Sequence, residues 1–396
     1  MALIVQKFGG TSVGSIDRIE AVARRVINAH QQGHQVVVVV SAMSGETNRL
    51  LGLAKQIDAT PTARELDVLL SAGEQVSMAL LAMAINRQGV KATSLTADQV
   101  GITTSGGFNN AEIAHVATSR INSLLEQDHI VIVAGFQGRD ENGNITTLGR
   151  GGSDASAVAI ASALNADECQ IFTDVDGVYT TDPRIVPEAS RLDQIDVKTM
   201  TTMARLGAKV LQLQSVEYAH QNCVPLRVLS SFEEGSETQG TLVTMDTLAT
   251  RPITGIAVLA DQHLISVKTE REKMIGQSTG IVSEIWNNVI DETYSSHFVV
   301  SDADLAHLKL AHCEELDHID NVTTLSVVGH AAKECKQAML ALLAQSEIVV
   351  HRVQHLPQCL CLLVADADYK RAVKLLHAQF VVPSLSGHES NLLAVS

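Results

Sequence analysis

Five consecutive valines, Val36–Val40, are the part of the sequence that most restricts the fold. The run lacks the apolar–polar alternation of a half-exposed strand, so the segment Gln35–Val40 predicts a strand that is buried on both faces. Predicted amphipathic helices precede and follow it, at Ile16–Gln31 and Ala63–Arg87. A buried strand between two helices is typical of a mainly parallel sheet that helices cover on both sides.

The alternation of apolar strands with helices continues through about the first 230 residues. Only 3% of the residues are aromatic, so the core of this part must be built from Ala, Val, Leu and Ile. The further predicted strands are Leu3–Gln6, Lys91–Thr96, Ile130–Ala134, Cys169–Thr173 and Pro225–Leu229, and the further predicted helices are Ala111–Gln127, Ser153–Leu164 and Val197–Gln221.

A polar, glycine-containing segment, Ser230–Gly240, is predicted to be the exit loop of this α/β part. Beyond about Thr247 the pattern changes to two small β-α-β-β-type units in tandem. We therefore predict two parts, residues 1–245 and 246–396. The predicted strands of the second part are Gly255–Val267, His297–Val300, Val322–Val328, Ile348–Val353 and Cys359–Val364, and its predicted helices are Ser278–Val289, Ala331–Gln345 and Asp368–Gln379.

The formal net charge of −15 at pH 7 argues against nucleic acid as a partner, because binding to its phosphates needs a basic surface. No signal peptide is visible and no apolar run is long enough to cross a bilayer, so a cytoplasmic location and no membrane partner are predicted. The six cysteines show no CxxC spacing and are expected to be free thiols in a reducing compartment.

A lysine and three glycines lie within the first fourteen residues, where Lys7, Gly9, Gly10 and Gly14 follow a predicted strand. Such glycines let backbone N–H groups approach a phosphate closely, and the lysine adds a mobile positive charge. The spacing fits neither a Walker A loop nor a dinucleotide-binding fingerprint. Taken alone, the segment is equally consistent with a tight strand–helix turn and a surface lysine.

A second glycine-rich loop, Gly149–Asp154, lies directly before a predicted helix. The free N–H groups of a helix N-terminus attract anions, and Arg150 offers two parallel donors to a carboxylate or phosphate. Ser153 or Asp154 could instead be a simple N-cap, although an N-cap does not need an arginine and three glycines beside it. Asp154 could also orient a lysine or approach a metal ion.

Three further polar sites follow a strand or interrupt apolar stretches. Thr173–Arg184 contains three aspartates after a predicted strand, which is where open α/β sheets bind ligands. Lys209 stands within the otherwise apolar stretch Leu206–Leu213, and Glu74 adds a carboxylate at a turn of a predicted helix. The plainer alternatives are Asx turns, a lysine that extends to solvent and a solvated glutamate. Together with the two glycine loops, these charges suit the transfer of a triphosphate's γ-phosphoryl group, a reaction that depends on positioning and charge neutralisation.

The sequence resembles the aspartate kinases (aspartokinases) of the amino-acid kinase family. The matching segments occur in family order over nearly all of residues 1–245, and GRGGSD and TDVDGVYTTDPR are the most specific of them. The segments are KFGGTSVG (7–14), VVVSAMSGETN (38–48), SAGEQVS (71–77), GRGGSDASA (149–157), TDVDGVYTTDPR (173–184), LGAKVLQ (206–212) and VPLRVLSSF (224–232).

The resemblance implies a three-layer α/β/α sandwich with a mainly parallel sheet, and an ATP:L-aspartate 4-phosphotransferase that requires Mg²⁺. The product would be 4-phospho-L-aspartate, formed in the first step toward lysine, threonine and methionine. The catalytic residues it implies are Lys7, Asp154 and Lys209, and no residue is assigned as a metal ligand. The ATP-binding residues it implies are Lys7, Phe8, Gly9, Gly10, Ser41, Thr173, Asp174, Tyr179, Asp182, Arg184 and Lys209, and the substrate-binding residues are Thr47, Glu74, Arg150, Gly151, Gly152 and Ser153.

Residues 246–396 resemble the tandem ACT-like α+β (βαββαβ) units of aspartokinases, which imply an amino-acid effector and a homodimer. The Asp-x-Pro-Gly turn typical of the first unit is absent, and Glu272–Gly280 stands in its place. The residues before the second unit's helix, Val328–Ala332, also lack proline. Inhibition by lysine or threonine therefore does not follow from the sequence.

Two alternatives to an aspartate kinase remain from the residues alone. One is a kinase of the same fold that acts on acetylglutamate, glutamate, a nucleotide or carbamate. Arg150 within GRGGSD and Glu74 within SAGE argue against it. The other is an amino-acid-sensing regulator with an inactive kinase domain, which the presence of Lys7, Asp154, Asp174 and Lys209 disfavours.

Overall fold

The computed structural model describes residues 1–208, 210–233, 240–246, 251–268, 295–301 and 314–381. The chain divides into two compact units. The first consists of Met1–Val178, Arg191–Ala204 and Lys209–Leu248, and the second of Tyr179–Ser190, Arg205–Ala208 and Ala249–Ser396.

The first unit is built on an eight-stranded sheet in the order β10-β12-β11-β9-β1-β2-β6-β3. All neighbouring strands are parallel except β11 and β12, which confirms the predicted mainly parallel sheet. The strands are β1 (Leu3–Phe8), β2 (Gln35–Val40), β3 (Ala92–Leu95), β6 (Ile130–Ala134), β9 (Glu168–Thr173), β10 (Gln194–Asp196), β11 (Leu226–Ser230) and β12 (Thr241–Thr244).

A smaller four-stranded sheet in the order β5-β4-β7-β8 belongs to the same unit. Its strands are β4 (Ile102–Ser105), β5 (Glu112–Val116), β7 (Gln137–Arg139) and β8 (Ile145–Thr147). The predicted helix Ala111–Gln127 is therefore wrong in its first half. Residues 112–116 pair with β4 in an antiparallel hairpin, and this strand pairing prevails over the helical spacing of the apolar residues.

Eight helices of the first unit lie within the described residues: α1 (Ile16–Gln31), α2 (Glu46–Ile57), α3 (Ala63–Asn86), α4 (Ala97–Val100), α5 (Ser119–Leu125), α6 (Gly152–Leu164), α7 (Val197–Arg205) and α8 (Leu213–Gln221). The apolar faces of α1 and α3 share a buried core with Val36, Val38 and Val40, on one side of the main sheet. Helix α6, rich in small residues, packs against β1, β2 and β9.

The predicted helix Val197–Gln221 is interrupted between α7 and α8. The interruption contains Gly207, whose φ of +110° lies outside the range that side-chain-bearing residues adopt readily. A Cβ at this position would lie 2.6 Å from the carbonyl oxygen of Val258. Position 207 therefore requires glycine, and the helix cannot continue through it.

The second unit contains a five-stranded antiparallel sheet in the order β14-β13-β15-β17-β16. Its elements are β13 (Gly255–Lys268), β14 (Ser295–Ser301), β15 (Glu314–Val328), α9 (Lys336–Gln345), β16 (Val350–Leu356), β17 (Cys359–Ala365) and α10 (Tyr369–Leu376), followed by a π-helical turn, His377–Val381. Five predicted strands and two predicted helices of this part are confirmed. The predicted helix Ser278–Val289 and the segment Glu272–Gly280 lie outside the described residues.

Among the described residues, one helix, α3, is long and apolar enough to cross a membrane by length and composition. Half of its apolar window is buried inside the protein. The same helix carries buried Asp67 and Glu74, which accept hydrogen bonds from other elements. These features are typical of a core helix.

Buried His377 provides a pH-dependent contact inside the second unit. The hydroxyl of Thr180 accepts a hydrogen bond from the N–H of Ser190 (3.1 Å), which leaves its own hydrogen to donate to Nε2 of His377 (2.9 Å). Burial lowers the pKa of His377 below 6.5. The unfolded chain therefore binds the proton more readily, and the stability from the neutral ring is lost as the pH falls through 6.5.

We expect wild-type protein to lose more thermal stability between pH 7.5 and pH 5 than His377→Gln, whose amide oxygen can still accept from Thr180. Thermal unfolding of both proteins at both pH values measures the difference. Equal losses of thermal stability in the two proteins would contradict the assignment of the pH dependence to His377.

Candidate active site at the carboxyl edge of the main sheet

The ends of five parallel strands lie side by side at one edge of the main sheet. Backbone hydrogen bonds continue just beyond the strands, so the loops that follow them are held next to one another. These bonds run from Gly9 N–H to Phe172 O (3.3 Å), from Ser41 N–H to Phe8 O (3.1 Å), from Gly135 N–H to Val40 O (3.0 Å) and from Ser231 N–H to Thr173 O (2.9 Å). This is the edge at which open α/β sheets bind their ligands.

A buried ion pair connects this edge to helix α6. Nζ of Lys7, near the end of β1, lies 2.5 Å from Oδ1 of Asp154, in the first turn of α6, and both side chains are about one-tenth exposed. Desolvation makes an isolated buried charge costly, so each of these charges depends on the other. The pair holds an ammonium group beside the two glycine-rich loops predicted to bind phosphate and substrate.

The first glycine loop lies close to the loop after β2. A Cβ on Gly10 would be only 3.0 Å from the carbonyl oxygen of Ala42. The hydroxyl of Ser12 donates to Ser231, whose hydroxyl donates in turn to the carbonyl of Thr173. The first loop is thus connected to the loops on both sides of it.

The second glycine loop bends directly into α6. Gly151 is the N-cap of the helix with φ +75°, and a Cβ at this position would lie 2.4 Å from a side-chain atom of Gln212. The hydroxyl of Ser156, one turn into α6, accepts a hydrogen bond from the N–H of Phe136 in the loop after β6. The N-terminus of α6, with Gly152, Ser153 and Asp154, is thereby held against the sheet edge.

Glu74 is a buried carboxylate at the same edge. Its side chain is 4% exposed, and Oε1 accepts a hydrogen bond from the N–H of Ala42 (3.0 Å). Oε2 is buried and has no hydrogen-bond partner among the described residues. Burial raises the pKa of Glu74 to about 7, against a smaller opposing effect of the Ala42 N–H. The group needs a cationic partner to ionise readily.

The raised pKa of Glu74 has a consequence for stability. The unfolded chain releases this proton near pH 4.5 and the folded chain near pH 7, so the group's stabilising contribution is lost as the pH rises between these values. The loss is of the order of 3 kcal/mol. Because Gln keeps the acceptor for Ala42, we expect Glu74→Gln to remove this pH dependence. Thermal unfolding of both proteins at pH 5 and pH 8 measures this pH dependence. The same change in stability between the two pH values in wild type and variant would contradict the assignment to Glu74.

The other residues predicted to bind ATP or aspartate in the first unit differ in their position and exposure. Thr173 ends β9 and Asp174 is exposed directly after it, while Ser41 directly follows β2. Thr47 is exposed in the first turn of α2, and Arg150 is exposed with no ion pair among the described residues. The side chain of Phe8 is fully buried and stacks on Phe172, so only its backbone is available to a ligand.

Three residues predicted to bind the nucleotide belong to the second unit. Tyr179 packs against the apolar core of that unit. The guanidinium of Arg184 lies 2.7 Å from Asp182 and holds the pKa of that carboxyl below its usual value. Lys209 lies outside the described residues.

The sequence reasoning missed two polar residues that support the site. Asp67 in α3 is fully buried and accepts hydrogen bonds from Asn109 and Thr147. Gln137 in β7 donates to the backbone carbonyl of Ser71 in α3. The sequence did contain a signal for Asp67. It lies seven positions before Glu74 on the same helix, and that spacing places both carboxylates on one face.

Comparison with known proteins identifies the family. The amino acid kinase family model matches residues 2–230. An aspartokinase of Pseudomonas aeruginosa is 57% identical over 272 residues, and the match spans 68% of this chain and 65% of that protein's length. The aspartate kinase Ask_LysC of Stutzerimonas stutzeri is 43% identical over 98% of this chain and 99% of its own length.

Solved structures of E. coli aspartokinase III share the fold. The R-state complex with aspartate and ADP superposes with a TM-score of 0.78 at 24% identity, over 95% of this chain and 99% of that one. The T-state complex with lysine and aspartate superposes with a TM-score of 0.74 at 25% identity, over 96% and 99% of the two chains.

Proposed function

This chain belongs to the aspartate kinases of the amino acid kinase family, and from that membership we propose that it transfers the γ-phosphoryl group of ATP to L-aspartate. An oxygen of the side-chain carboxylate attacks the γ-phosphorus, the bond from that phosphorus to the β,γ-bridging oxygen breaks, and ADP and 4-phospho-L-aspartate result. The carboxylate is already a nucleophile at neutral pH, so no general base is required. The observation that carries the proposal is the buried Lys7–Asp154 pair beside the two glycine loops.

The reaction brings two anions together, so its main requirement is positive charge at the transferred group. Lys7 supplies that charge at the end of β1, and Asp154 holds its ammonium in place at 2.5 Å. Gly9 and Gly10 would offer backbone N–H groups to the ATP phosphates next to it. Ser41, on the adjacent loop, would lie near the same phosphates.

The acceptor carries one ammonium and two carboxylates, so it needs both anionic and cationic partners. Glu74 would bind the ammonium of aspartate, since its buried Oε2 lacks a partner among the described residues. Arg150 would pair with a carboxylate, because its side chain is exposed next to the N-terminus of α6. The remaining substrate contacts that we propose are Thr47, Gly151, Gly152 and Ser153.

The nucleotide would lie beyond the carboxyl end of β9. We propose Phe8, through its backbone, Thr173, Asp174, Tyr179, Asp182 and Arg184 as its contacts, with Lys209 at the phosphates. Mg²⁺ usually keeps several waters and is held by one or two carboxylates together with substrate phosphates. The exposed carboxylate of Asp174 suits that requirement and would hold the ion, which neutralises phosphate charge when bound.

The experiment that tests this function is ATP turnover with a panel of acceptors. Purified protein, ATP and Mg²⁺ are incubated with L-aspartate, L-glutamate, N-acetyl-L-glutamate, a nucleoside monophosphate or carbamate. ADP release reports phosphoryl transfer to any of them, and hydroxylamine traps an acyl phosphate as its hydroxamate. We expect ADP and hydroxamate with L-aspartate. Turnover with another acceptor alone, or ATP binding without turnover, would overturn the proposal.

We further propose that residues 1–245 form the catalytic domain and that residues 246–396 form an ACT-like regulatory and dimerisation part of a cytoplasmic homodimer. The T-state structure of E. coli aspartokinase III contains lysine, which supports an amino-acid effector here. Adding lysine, threonine or methionine to the turnover assay tests the effector. Sedimentation of the purified protein tests the dimer.

A further inference from the structure

Asp67 is a buried carboxylate whose hydrogen bonds, within the described residues, go to none of the groups assigned to ATP or aspartate. It is fully buried in α3, and its two oxygens accept hydrogen bonds from three donors. Thr147 donates through its backbone N–H (2.9 Å) and its hydroxyl (2.7 Å), and Asn109 donates through its backbone N–H (3.0 and 3.1 Å). An acceptor with this many partners fixes the segments that supply the donors.

Both segments fixed by Asp67 adjoin the loop that carries Arg150. Thr147 is the last residue of β8, three positions before Arg150. Asn109 has φ +65°, a conformation that costs energy in most residues and that its bond to Asp67 helps to hold. Its neighbour Asn110 lies close to Gly149. A Cβ on Gly149 would lie 3.0 Å from the side-chain oxygen of Asn110. Asp67 thus holds the start of the Arg150 loop from two sides.

The same helix connects the Arg150 loop to Glu74. Gln137 and Thr147 are direct partners in the β7–β8 hairpin, and both bond to α3: Gln137 to the carbonyl of Ser71, and Thr147 to Asp67. Glu74 follows Asp67 by seven residues, which is about 10 Å along the helix axis. The spacing between the proposed ammonium and carboxylate contacts of aspartate is therefore set through α3.

We propose that Asp67 is a positioning residue that fixes the distance between Arg150 and Glu74 and so sets the affinity for the amino-acid acceptor. The inference rests on the proposed function, because it takes Arg150 and Glu74 as acceptor contacts. Asp67 touches neither group directly and acts through Thr147 and Asn109.

The kinetic test separates the acceptor from the nucleotide. Asp67→Ala leaves the N–H groups of Thr147 and Asn109 without their acceptor, so we expect the KM for L-aspartate to rise about tenfold or more. The KM for ATP should stay within about twofold, because none of the proposed ATP contacts that the structure describes bonds to Asp67. Asp67→Asn keeps an oxygen for both N–H groups and can donate to the hydroxyl of Thr147. It should restore the KM for aspartate to within about threefold of wild type.

Two adjacent threonines of β8 provide a matched control. Successive side chains of a strand face opposite sides. The hydroxyl of Thr147 therefore bonds to Asp67, while that of Thr146 bonds to Thr104 (2.6 Å), and both are buried. Thr147→Val and Thr146→Val each remove one buried hydroxyl bond. We expect only Thr147→Val to raise the KM for aspartate.

The outcomes are distinct. A selective rise in the KM for aspartate in Asp67→Ala and Thr147→Val, rescued in Asp67→Asn, supports the positioning role. If Asp67→Ala does not fold, Thr147→Val and Thr146→Val decide the question. If both threonine variants change the KM for aspartate equally, or if Asp67→Ala changes the KM for ATP and the KM for aspartate equally, the positioning role is overturned. Wild-type turnover with aspartate would still uphold the proposed function. A wild type that yields no hydroxamate overturns the proposed function and this inference with it.

Discussion

Replacing Lys7 by methionine is expected to lower kcat by about 10²-fold or more, because it removes a charge that acts on the transferred phosphoryl group. The ammonium lies at the carboxyl end of β1, and no other lysine or arginine forms an ion pair with Asp154 in the described ranges. The measurement is kcat for ADP release at saturating ATP and aspartate.

The expected loss must be separated from misfolding. Removing Lys7 leaves Asp154 as an uncompensated buried charge, which typically costs about 3–5 kcal/mol. Lys7→Met/Asp154→Leu replaces the pair by apolar side chains, a change that is often neutral for stability. We expect this double variant to recover the thermal stability of wild type without recovering turnover.

Lys91→Ala is the control for a lysine away from the site, since Lys91 directly precedes β3, is exposed and donates to the carbonyl of Gln127. It should retain wild-type kcat. Turnover in a folded Lys7→Met at the level of Lys91→Ala would refute the phosphate role.

Replacing Glu74 by glutamine is expected to raise the KM for L-aspartate by roughly 10- to 100-fold, with the KM for ATP little changed. A hydrogen bond to a charged group contributes about 1.5–3 kcal/mol, and the isosteric amide loses that charge. Gln retains an oxygen for the N–H of Ala42, so the loop after β2 should keep its position.

The pH dependence gives a second measure of the same group. Only ionised Glu74 can pair with an ammonium, and its pKa in the free protein is about 7. The wild-type KM for aspartate should therefore rise as the pH falls below 7, by about tenfold per unit at the acidic limit. The variant should lack this rise.

Glu65→Gln is the matched control, because Glu65 lies in the same helix but is exposed and paired with Arg64. It should behave as wild type. If Glu74→Gln weakened ATP and aspartate equally, Glu74 would not belong to the acceptor site.

Local pattern was sufficient for six of the eight strands of the main sheet, all except β10 and β12, and for most of the edge that is proposed to bind ligands. The valines of β2 allow no exposed face, and the buried positions of α1 recur at helical spacing, so both elements have the predicted bounds. The first glycine loop follows β1, a strand of the predicted parallel sheet, whereas the second follows β8, an antiparallel strand that was not predicted. The loops with Lys7 and Thr173 were therefore predicted from the pattern to follow strands, while Ser41 was assigned through the family resemblance.

The failures share a physical cause, since each depended on contacts that lie outside the segment itself. Residues 112–116 form a strand because β4 is available to pair with them. Asp67 is a positioning candidate only because Thr147, eighty residues later, supplies two donors. Likewise, the aspartate-rich segment after β9 gave no indication that Tyr179–Ser190 packs in the second unit.

That packing limits how genes of this type can exchange parts. Val186 and Ala189 lie in the apolar core of the second unit, together with Leu325 and Leu360. A recombination event that joined residues 1–245 of one relative to the C-terminal region of another would unite core side chains that had not evolved together. Successful exchanges should therefore carry a segment 179–190 that is compatible with the new C-terminal region. In such recombinants, the sequence of this segment should come from the same relative as the C-terminal region.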